Sequence, residues 1–427
     1  MTTVAQLYQY FLTCTGVSTD TRQISKDCLF VALKGDKFDG NTFAKTSLEQ
    51  GAKFVLVSDE TIATDERFLL VEDTLVALQQ LANHHRKQLS IPIIGLTGSN
   101  GKTTTKELIA CALSKKFKTL STKGNLNNHI GVPLTLLSID QTYDIAVIEM
   151  GANHQKEIEL LCTIAEPTHG LITNIGKAHL EGFGGIEGVK KGKGEMYDFL
   201  SASGGTAFVN VSSPTILEMA NSRSFKNRVD YLNDDSLLMT EDSPFVVYQS
   251  ANNQAITTHL TGKYNFENIA VALKIGDYFD VNPELSNEAI ANYNPTNNRS
   301  QMVEKGTNTI LMDAYNANPS SMSAAIENFT KLKADKKMVI LGDMLELGED
   351  APAEHLALGK LVASGGFDLV ILAGPLMKDA LPALPKAFYF PDKFSLHNWI
   401  MDHPQQDTHI LIKGSRGMGL ESVVQFL

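Results

Sequence analysis

The sequence of 427 residues lacks several features that would mark a secreted, membrane-bound or nucleic-acid-binding protein. It has only four cysteines, without metal-ligand spacing, which predicts reduced buried thiols. No apolar run approaches the roughly 18–20 residues of a membrane span. The first residues have neither the basic start nor the apolar core of a signal peptide.

The chain also has fewer positive than negative side chains, which gives a net charge of −11. This charge argues against a general binder of nucleic acid or anionic membranes. Together these absences predict a cytoplasmic protein with no membrane insertion and no nucleic-acid partner. The 43% of hydrophobic and 20% of charged residues are ordinary for a globular chain. The length favours about two to four domains.

The most informative segment that is present covers residues 93–104 and reads IIGLTGSNGKTT. A short apolar strand ends in a glycine-bounded turn and a helix-forming segment follows, so backbone N–H groups and a helix N-terminus would surround one phosphate. Lys102 adds a positive charge, and the Thr103 hydroxyl can take a coordination position on Mg²⁺. Leu96 replaces the first glycine of a full Walker A motif, which leaves the shorter G-x-x-G-K-T form. The alternative is a strand–turn–helix without phosphate binding.

The chain divides into three segments that differ in how predicted strands and helices alternate. The first alternates helices and strands and loses periodicity before Pro92. The second has near-continuous apolar strands between helices, which indicates a parallel sheet covered on both faces, with a hairpin-like insertion at 245–260. The third repeats the strand–helix alternation. The predicted fold class is therefore α/β, with domains at 1–88, 89–294 and 295–427.

Two polar residues follow apolar strands of the second segment, and ligands of open α/β sheets bind at the carboxyl ends of strands. Glu149 ends the strand 145–149 and offers the oxygen ligands that Mg²⁺ prefers. His179 follows a glycine turn after the next strand and is a candidate second ligand. The alternatives are a surface carboxylate and a structural histidine.

Lys190, Lys191 and Lys193 are mixed with glycines where the next helix is predicted to start. Such a run is usually a solvated helix face. A lysine directed at the metal site could instead be carbamylated by CO₂ and become an anionic oxygen ligand for a second Mg²⁺. Both interpretations stay open at this point.

Polar side chains gather at three further places. Residues 123–133 are rich in amides, which suit a sugar or diphosphate, or an asparagine-rich turn. Asn265 and Asn268 could contact an adenine edge or cap a helix. Asp313 and the cationic segment 413–416 follow two strands of the third segment, which suggests the polar wall of a cleft.

Taken together, these residues resemble the Mur ligases, ATP-dependent amide-forming enzymes of peptidoglycan precursor synthesis. Within that family the chain is similar to the member that joins D-alanyl-D-alanine to UDP-N-acetylmuramoyl-tripeptide. The Tyr-Asn-Ala-Asn-Pro run at 315–319 separates it from sister ligases, and the Asp-Asn-Pro-Arg signature that reads diaminopimelate in the preceding ligase is not in the sequence. The matching motifs are residues 18–22, 29–35, 98–107, 125–133, 149–154, 178–184, 313–322, 342–348 and 413–416.

The resemblance implies a small α/β domain that binds the UDP end of the substrate, a central P-loop domain that binds ATP, and a Rossmann-like C-terminal domain that closes over both. Closure is expected about a hinge near 293–299. The cofactors implied are ATP and two Mg²⁺ ions, one on Thr103 and Glu149 and the other on His179 and carbamylated Lys193. Lys102, Lys193, His179 and Glu149 are the expected catalytic residues.

The remaining expected contacts divide into two groups. The nucleotide contacts are Gly98, Ser99, Asn100, Gly101, Lys102, Thr103, Thr104, Asn268, Arg299 and Asp313, although Asn298 stands where the family usually has glycine. The substrate contacts are Ser18, Asp20 and Arg22 near the uridine diphosphate, together with Asn125, Asn127, Asn128, Asn316, Asn318, Lys413, Ser415 and Arg416.

The implied reaction begins when the tripeptide carboxylate attacks the γ-phosphate of ATP and forms an acyl phosphate. The dipeptide amine then attacks the acyl carbon, and phosphate leaves. A monomer is expected, and the third residue of the tripeptide, diaminopimelate or lysine, is left open. One rival is a folylpolyglutamate synthase, which would not need the 18–34 module. The other is a regulatory protein that uses ATP as a switch, although Glu149, His179 and Lys193 argue against it.

Overall fold

The computed structural model describes residues 1–232, 244–262, 264–296 and 298–427. The chain forms three α/β units in sequence order, and each is built on its own mainly parallel sheet. This is the predicted fold class. The predicted boundaries at 88/89 and 294/295 fall between these sheets and stay predictions.

The first unit contains a four-stranded parallel sheet in the order β1-β2-β5-β6 and a small antiparallel pair, β3-β4. Thr3 caps the first helix and Asp73 caps the third, each with its side-chain oxygen. The elements are α1 (Val4–Phe11), β1 (Val17–Ser18), β2 (Leu29–Val31), β3 (Lys34–Gly35), β4 (Phe38–Asp39), α2 (Ala44–Glu49), β5 (Phe54–Val57), β6 (Phe68–Leu70) and α3 (Thr74–Arg86).

The second unit contains a six-stranded parallel sheet in the order β12-β11-β10-β7-β9-β8 and a hairpin, β13-β14, at the predicted insertion. The strands β7, β9 and β11 are buried along their whole length, as their apolar sequences predict. The elements are β7 (Ile93–Thr97), α4 (Lys102–Leu113), β8 (Thr119–Ser121), α5 (Gly131–Leu137), β9 (Ile145–Glu149), α6 (Glu157–Ala165), β10 (His169–Ile172), α7 (Leu180–Phe183), α8 (Ile186–Ser203), β11 (Thr206–Asn210), α9 (Pro214–Asn221), β12 (Asn227–Tyr231), β13 (Phe245–Gln249), β14 (Ala255–Thr261), α10 (Tyr264–Tyr278) and α11 (Pro283–Ala291).

The third unit contains a six-stranded sheet in the order β15-β16-β20-β17-β18-β19, in which only β15 is antiparallel to its neighbour. The elements are β15 (Gln301–Lys305), β16 (Asn308–Asp313), α12 (Pro319–Lys331), β17 (Lys337–Gly342), α13 (Ala351–Ala363), β18 (Leu369–Ala373), β19 (Phe388–Phe390), α14 (Lys393–Asp402) and β20 (His409–Lys413).

The helix that carries the lysine–glycine run begins earlier than predicted. It starts at Ile186, so Lys193 lies near the middle of α8 rather than at its start. The glycines are explained by close packing, since a Cβ at Gly188 would lie 1.8 Å from the Phe183 carbonyl oxygen and one at Gly192 would lie 2.4 Å from the Phe183 ring. Tertiary contact with α7 therefore overrides the low helix propensity of glycine.

The third unit contacts the second directly at the edge that holds the phosphate loop. Asn318 Nδ2 donates to Asn100 Oδ1 at 2.8 Å, and the Lys177 N–H donates to Ser320 Oγ at 3.0 Å. Lys177 Nζ also pairs with Glu354 at 2.5 Å. Within the described residues, no helix is both long and apolar enough to cross a membrane.

Candidate functional site

The phosphate loop lies where the strand order of the central sheet reverses. After β7 the chain runs to the β8–β9 side of the sheet and then crosses to β10 on the other side. Leu96 pairs with Glu149 and Thr97 pairs with Ile172, so the ends of all three strands meet at one edge. Such a topological switch point is the usual ligand crevice of an open α/β sheet.

Two glycines give the loop its shape. Gly98 has φ of +143°, and a Cβ there would lie 2.0 Å from Thr173 Oγ1. Gly101 has φ of +77°, and a Cβ there would lie 2.7 Å from Asn268 Oδ1. Both positions therefore require glycine for backbone conformation and for space.

Asn100, between these glycines, is fixed by the end of β10. Its N–H donates to Asn174 Oδ1 at 3.0 Å, and its carbonyl oxygen accepts from Thr173 Oγ1 at 2.6 Å. Side chains that follow β10 therefore fix the conformation of the loop.

Lys102 is the first residue of α4, and its side chain folds back over the loop. Its Nζ donates to the carbonyl oxygens of Gly98 at 2.7 Å and Ser99 at 3.2 Å. The pKa of Lys102 is lowered to about 8, because burial outweighs the raising effect of Glu149 and Arg299 adds a smaller lowering effect. A bound phosphate would favour the charged amine and replace its weak carbonyl partners.

Glu149 is the acidic centre of the site and is 1% exposed. Thr103 Oγ1 donates to its Oε2 at 2.9 Å, and Asn127 Nδ2 donates to its Oε1 at 2.8 Å. A carboxylate beside a hydroxyl at the phosphate loop is a hard oxygen donor set that suits Mg²⁺. The surface-carboxylate alternative for Glu149 is therefore wrong.

Lys193 is the lysine of its group that faces the interior. It is 1% exposed, whereas Lys190 pairs with Glu187 at 2.9 Å and Lys191 is exposed. Lys193 Nζ donates to the Ala152 carbonyl oxygen at 2.8 Å and lies 4.9 Å from the centre of the Phe183 ring. Burial, reinforced by Lys102, holds the pKa of Lys193 well below its usual range, because burial disfavours the charged form.

His179 has a left-handed backbone with φ of +53° and reaches across to the third unit, where its Nδ1 pairs with the Glu346 carboxylate. Burial lowers the pKa of His179, Glu346 opposes this shift, and Lys102 and Lys193 reinforce it.

Among the described residues, no three His, Cys, Asp or Glu side chains lie close enough together to form a metal site by themselves. Any ion here would need ligands from phosphate, water or a modified side chain in addition to these residues.

A cavity of about 860 Å³ lies between the second and third units. Most of the predicted nucleotide and substrate contacts line it. From the prediction these are Ser99, Asn100, Gly101, Lys102, Thr104, Asn125, Asn127, Asn128, Glu149, His179, Asn268, Arg299, Asp313, Asn316, Lys413 and Arg416.

Asn268 lies in the first turn of α10, and its side chain turns to the phosphate-loop helix. Its Oδ1 accepts from Thr105 Oγ1 at 2.9 Å, and its Nδ2 donates to Asn265 Oδ1 at 2.9 Å. The Asn268 side chain therefore joins α10 to α4 through Thr105, and the adenine contact and the helix cap both stay predictions.

The third unit supplies a cationic wall. Asp313 and Lys413 are register partners at the ends of β16 and β20, and Lys413 Nζ lies 2.5 Å from Asp313 Oδ2. The Arg299 guanidinium lies 3.8 Å and the Arg416 guanidinium 5.1 Å from the centre of the Tyr315 ring. Two strand ends thus form the polar cleft wall expected from the sequence.

Comparison with known proteins shows which family the chain matches. The chain matches the Mur ligase family catalytic domain over residues 13–86, the Mur ligase middle domain over 96–276 and the Mur ligase glutamate ligase domain over 298–416. It is 35% identical to the UDP-N-acetylmuramoyl-tripeptide–D-alanyl-D-alanine ligase of Bacillus subtilis, and the match covers 96% of this chain and 93% of the relative. The chain belongs to the Mur ligase family.

Solved structures agree with this assignment. A crystal structure of MurF from Acinetobacter baumannii superposes with a TM-score of 0.86 at 31% identity and covers 99% of this Mur ligase and 98% of that chain. MurF ligase from Thermotoga maritima, solved in complex with ADP, gives a TM-score of 0.84 at 26% identity, with 97% of each chain covered. The three-domain fold is therefore that of a Mur ligase.

Eight predicted residues of this Mur ligase do not line the cavity. Thr103 and Lys193 are buried beside it, and Ser415 is buried and accepts from the Leu345 N–H at 3.1 Å. Asn318 contacts the loop at Asn100 instead. The others are Gly98, whose carbonyl accepts from Lys102, and the N-terminal group Ser18, Asp20 and Arg22.

The N-terminal group forms a separate cluster outside the cavity, in which Arg22 is exposed and Ser18 and Asp20 are half-buried. Arg22 pairs with Asp20 at 2.7 Å and holds the pKa of Asp20 at about 2. Ser18 Oγ donates to the Asp20 carbonyl oxygen at 3.1 Å. The Arg22 side chain is 86% exposed, so it is accessible to an anionic ligand outside the cavity.

Sequence reasoning did not include Glu346 and Tyr315 as site residues of this Mur ligase. Both lie inside motifs that were recognised, at 342–348 and 313–322. Their roles depend on His179 and the two arginines, which lie far away in sequence. The sequence therefore showed that Glu346 and Tyr315 belong to recognised motifs, but it did not show which residues they contact.

Proposed function

We propose that this Mur ligase joins D-alanyl-D-alanine to UDP-N-acetylmuramoyl-tripeptide and converts ATP to ADP and phosphate. The observation that carries this proposal is the nearly full-length likeness to ligases of that name. The site agrees, because the phosphate loop of one unit faces a cationic wall of another across one cavity. The product would be the UDP-linked pentapeptide precursor of peptidoglycan.

The first step requires that two anions, the tripeptide carboxylate and the γ-phosphate, approach each other. Lys102 and Arg299 both line the cavity, so together they would offset this repulsion where charge develops. The resulting acyl phosphate would be attacked by the dipeptide amine, and phosphate would leave. Orientation of bound reactants can lower such a barrier by roughly 7–11 kcal/mol.

The third unit would exclude water from the site. Its contacts with the phosphate loop and with Lys177 cover the site, which would protect an acyl phosphate from hydrolysis. Opening about the segment 293–299, of which Asn297 lies outside the described residues, would admit substrates and release products.

One Mg²⁺ would be held by Glu149 and Thr103, whose oxygens already lie 2.9 Å apart. The ion would supply positive charge to the phosphate oxygens. Asn127 donates to the other Glu149 oxygen and so orients the carboxylate.

A second Mg²⁺ would need His179 and a carbamylated Lys193. The low pKa of Lys193 favours the neutral amine, whose nitrogen can form a bond to the carbon of CO₂ and then lose a proton. Burial explains why this lysine, and not its exposed neighbours, would be modified. To bind the ion, the His179 imidazole would have to release the Glu346 carboxylate with which it pairs.

The other predicted roles belong to the same proposal. Residues 98–104 would hold the ATP phosphates, with Asn268 at the adenine and Arg299 and Asp313 at the nucleotide. Ser18, Asp20 and Arg22 would bind the uridine diphosphate, and the remaining cavity asparagines would bind the sugar and peptide.

We also propose that the protein acts as a cytoplasmic monomer. The free thiols of Cys14, Cys28, Cys111 and Cys162 support a reducing compartment. ATP is available there for the reaction.

The test is phosphate release from ATP and Mg²⁺ with UDP-N-acetylmuramoyl-tripeptide, with and without D-alanyl-D-alanine. Phosphate release that depends on both substrates, with formation of the pentapeptide, is expected. Release with glutamate and a folate instead would favour a folylpolyglutamate synthase. ATP binding without product in any mixture would favour a regulatory protein.

A further inference from the structure

The segment 151–156 forms a wall of the cavity between two groups that the proposed reaction uses. It connects Glu149, at the end of β9, to the start of α6, and its residues Ala152 and Asn153 line the cavity. Lys193 on α8 donates from Nζ to the Ala152 carbonyl oxygen at 2.8 Å. The position of this segment therefore determines where the Lys193 nitrogen lies.

The beginning and the middle of the segment are held by nearby groups of the same unit. The Gly151 N–H donates to the Asn127 carbonyl oxygen at 2.7 Å. The Asn153 and His154 N–H groups donate to Glu157 Oε2 at 2.6 Å and 3.0 Å. The end of the segment, where α6 begins, depends on a different side chain.

The end of the segment is held by Glu195, which comes from α8. Lys156 is the N-cap of α6 and has a left-handed backbone with φ of +72°, and a lysine side chain cannot accept from the first N–H groups of a helix. Glu195 supplies the acceptors instead. Its Oε1 accepts from the Lys156 N–H at 2.6 Å, and its Oε2 accepts from the Glu159 N–H at 2.9 Å. A carboxylate in this position is stabilised by the helix dipole and by charge-assisted hydrogen bonds.

Glu195 and Lys193 lie two residues apart on α8, so one helix holds the segment at two points. Lys193 contacts the carbonyl oxygen of Ala152, and Glu195 contacts N–H groups at the start of α6. Glu195 is 8% exposed, so water competes little for its carboxylate. A buried carboxylate that lost these donors would be strongly destabilised, which ties its position to that of the segment.

We propose that Glu195 is a positioning residue of the ligation, which holds the segment 151–156 so that the Ala152 carbonyl oxygen keeps the Lys193 nitrogen at the site. This inference rests on the proposed function. Glu195 acts from behind the cavity wall, through the backbone of the segment, and is therefore not a catalytic residue.

The inference separates turnover from nucleotide binding. The phosphate loop is fixed by bonds from Thr173 and Asn174 to Asn100, which a change at Glu195 leaves in place. A displaced Lys193 should therefore slow the reaction, while the protein binds ATP as before.

The experiment compares Glu195→Gln and Glu195→Ala with the wild-type protein. Glutamine is nearly isosteric but replaces one acceptor oxygen with an amide that can only donate. Glu195→Gln should lower kcat for ligation by about 10- to 100-fold, as for other supporting residues behind a reactive group. Glu195→Ala should lower it further, and the KM for ATP should stay within about twofold of wild type in both variants.

Hydrogen exchange gives a readout that does not depend on activity. In the wild-type protein, the Lys156 and Glu159 N–H groups should exchange slowly although they lie at the start of a helix, because Glu195 accepts from both. Both should exchange faster in Glu195→Gln.

A second helix cap in the same unit is the matched control. Ser213 caps α9, and its hydroxyl accepts from the Ile216 N–H at 3.4 Å. Ser213→Ala should lower the midpoint of thermal unfolding through loss of this cap and should leave kcat unchanged. The pair of variants thus separates positioning from a general loss of stability.

Four results would overturn the inference. Fast exchange of the Lys156 and Glu159 N–H groups in the wild-type protein, or exchange that is unchanged in Glu195→Gln, would show that Glu195 does not hold the segment. Faster exchange with a wild-type kcat would show that the segment does not affect the reaction. An equal loss of kcat in Ser213→Ala would assign the effect to stability. By contrast, wild-type protein without any ligation of D-alanyl-D-alanine would refute the proposed function itself.

Discussion

The amide bridge between Asn318 and Asn100 gives a sharp test of whether closure of the third unit controls ligation. Asn318 Nδ2 donates to Asn100 Oδ1 at 2.8 Å, and this links residues 218 positions apart. The same Asn318 caps α12, since its Oδ1 accepts from the Ser321 N–H at 2.9 Å. A useful variant must separate these two functions.

Asn318→Ser achieves this separation, because serine is a good N-cap but cannot reach Asn100 with a side-chain amide. The variant loses one neutral hydrogen bond of about 0.5–1.5 kcal/mol. If that bond forms only in the closed state, the closed population and the ligation rate should fall about 2- to 12-fold. Asn318→Ala also loses the cap, which costs a further 0.5–2 kcal/mol or so of stability.

The assay measures the ligation rate, the affinity for ADP and the midpoint of thermal unfolding. Asn318→Ser should ligate more slowly, while its ADP affinity stays within about twofold of wild type, because Thr173 and Asn174 hold the loop independently. Ser321→Ala weakens the cap without removing the bond between Asn318 and Asn100, and is the control for stability. A wild-type ligation rate for Asn318→Ser, or a loss confined to ADP binding, would refute the coupling between closure and catalysis.

Three further predictions concern single side chains. Lys102→Ala should lower turnover at least about 100-fold, because it removes a charge aimed at the reacting phosphate; near-normal ligation would reject the phosphate-loop assignment. Lys193→Ala should lose activity and regain part of it with added short carboxylates, whereas Lys190→Ala should remain active; no rescue would argue against a carbamate. Burial lowers the pKa of His169 from 6.5 to about 4, so the unfolded chain takes up a proton below pH 6.5 that the folded chain excludes. The stability contributed by neutral His169 is thus complete above pH 6.5 and is lost as the pH falls towards 4. Between pH 7 and pH 5, His169→Phe should remove up to about 2 kcal/mol of the loss in the free energy of unfolding, as measured by urea titration; an unchanged pH dependence would contradict this.

The parts of the site that follow strand ends could be predicted from local patterns. The glycine-bounded loop, Glu149 and Asp313 each come directly after an apolar strand, and parallel strands bring their carboxyl ends to one edge. The start of α8 was predicted too late, because the need for glycine beside Phe183 is a tertiary requirement. Propensity alone cannot represent such a contact.

Residue order within short windows is enough to predict the three α/β segments, the phosphate loop and the family. Tertiary packing was needed to show which lysine is buried, that Glu346 pairs with His179, and that Tyr315 contacts two arginines. His179 and Glu346 are 167 positions apart, and they meet only because two separately folded units pack against each other. Local pattern fixes the units and their strand ends, whereas the charges that face one another across the cavity depend on how those units are placed.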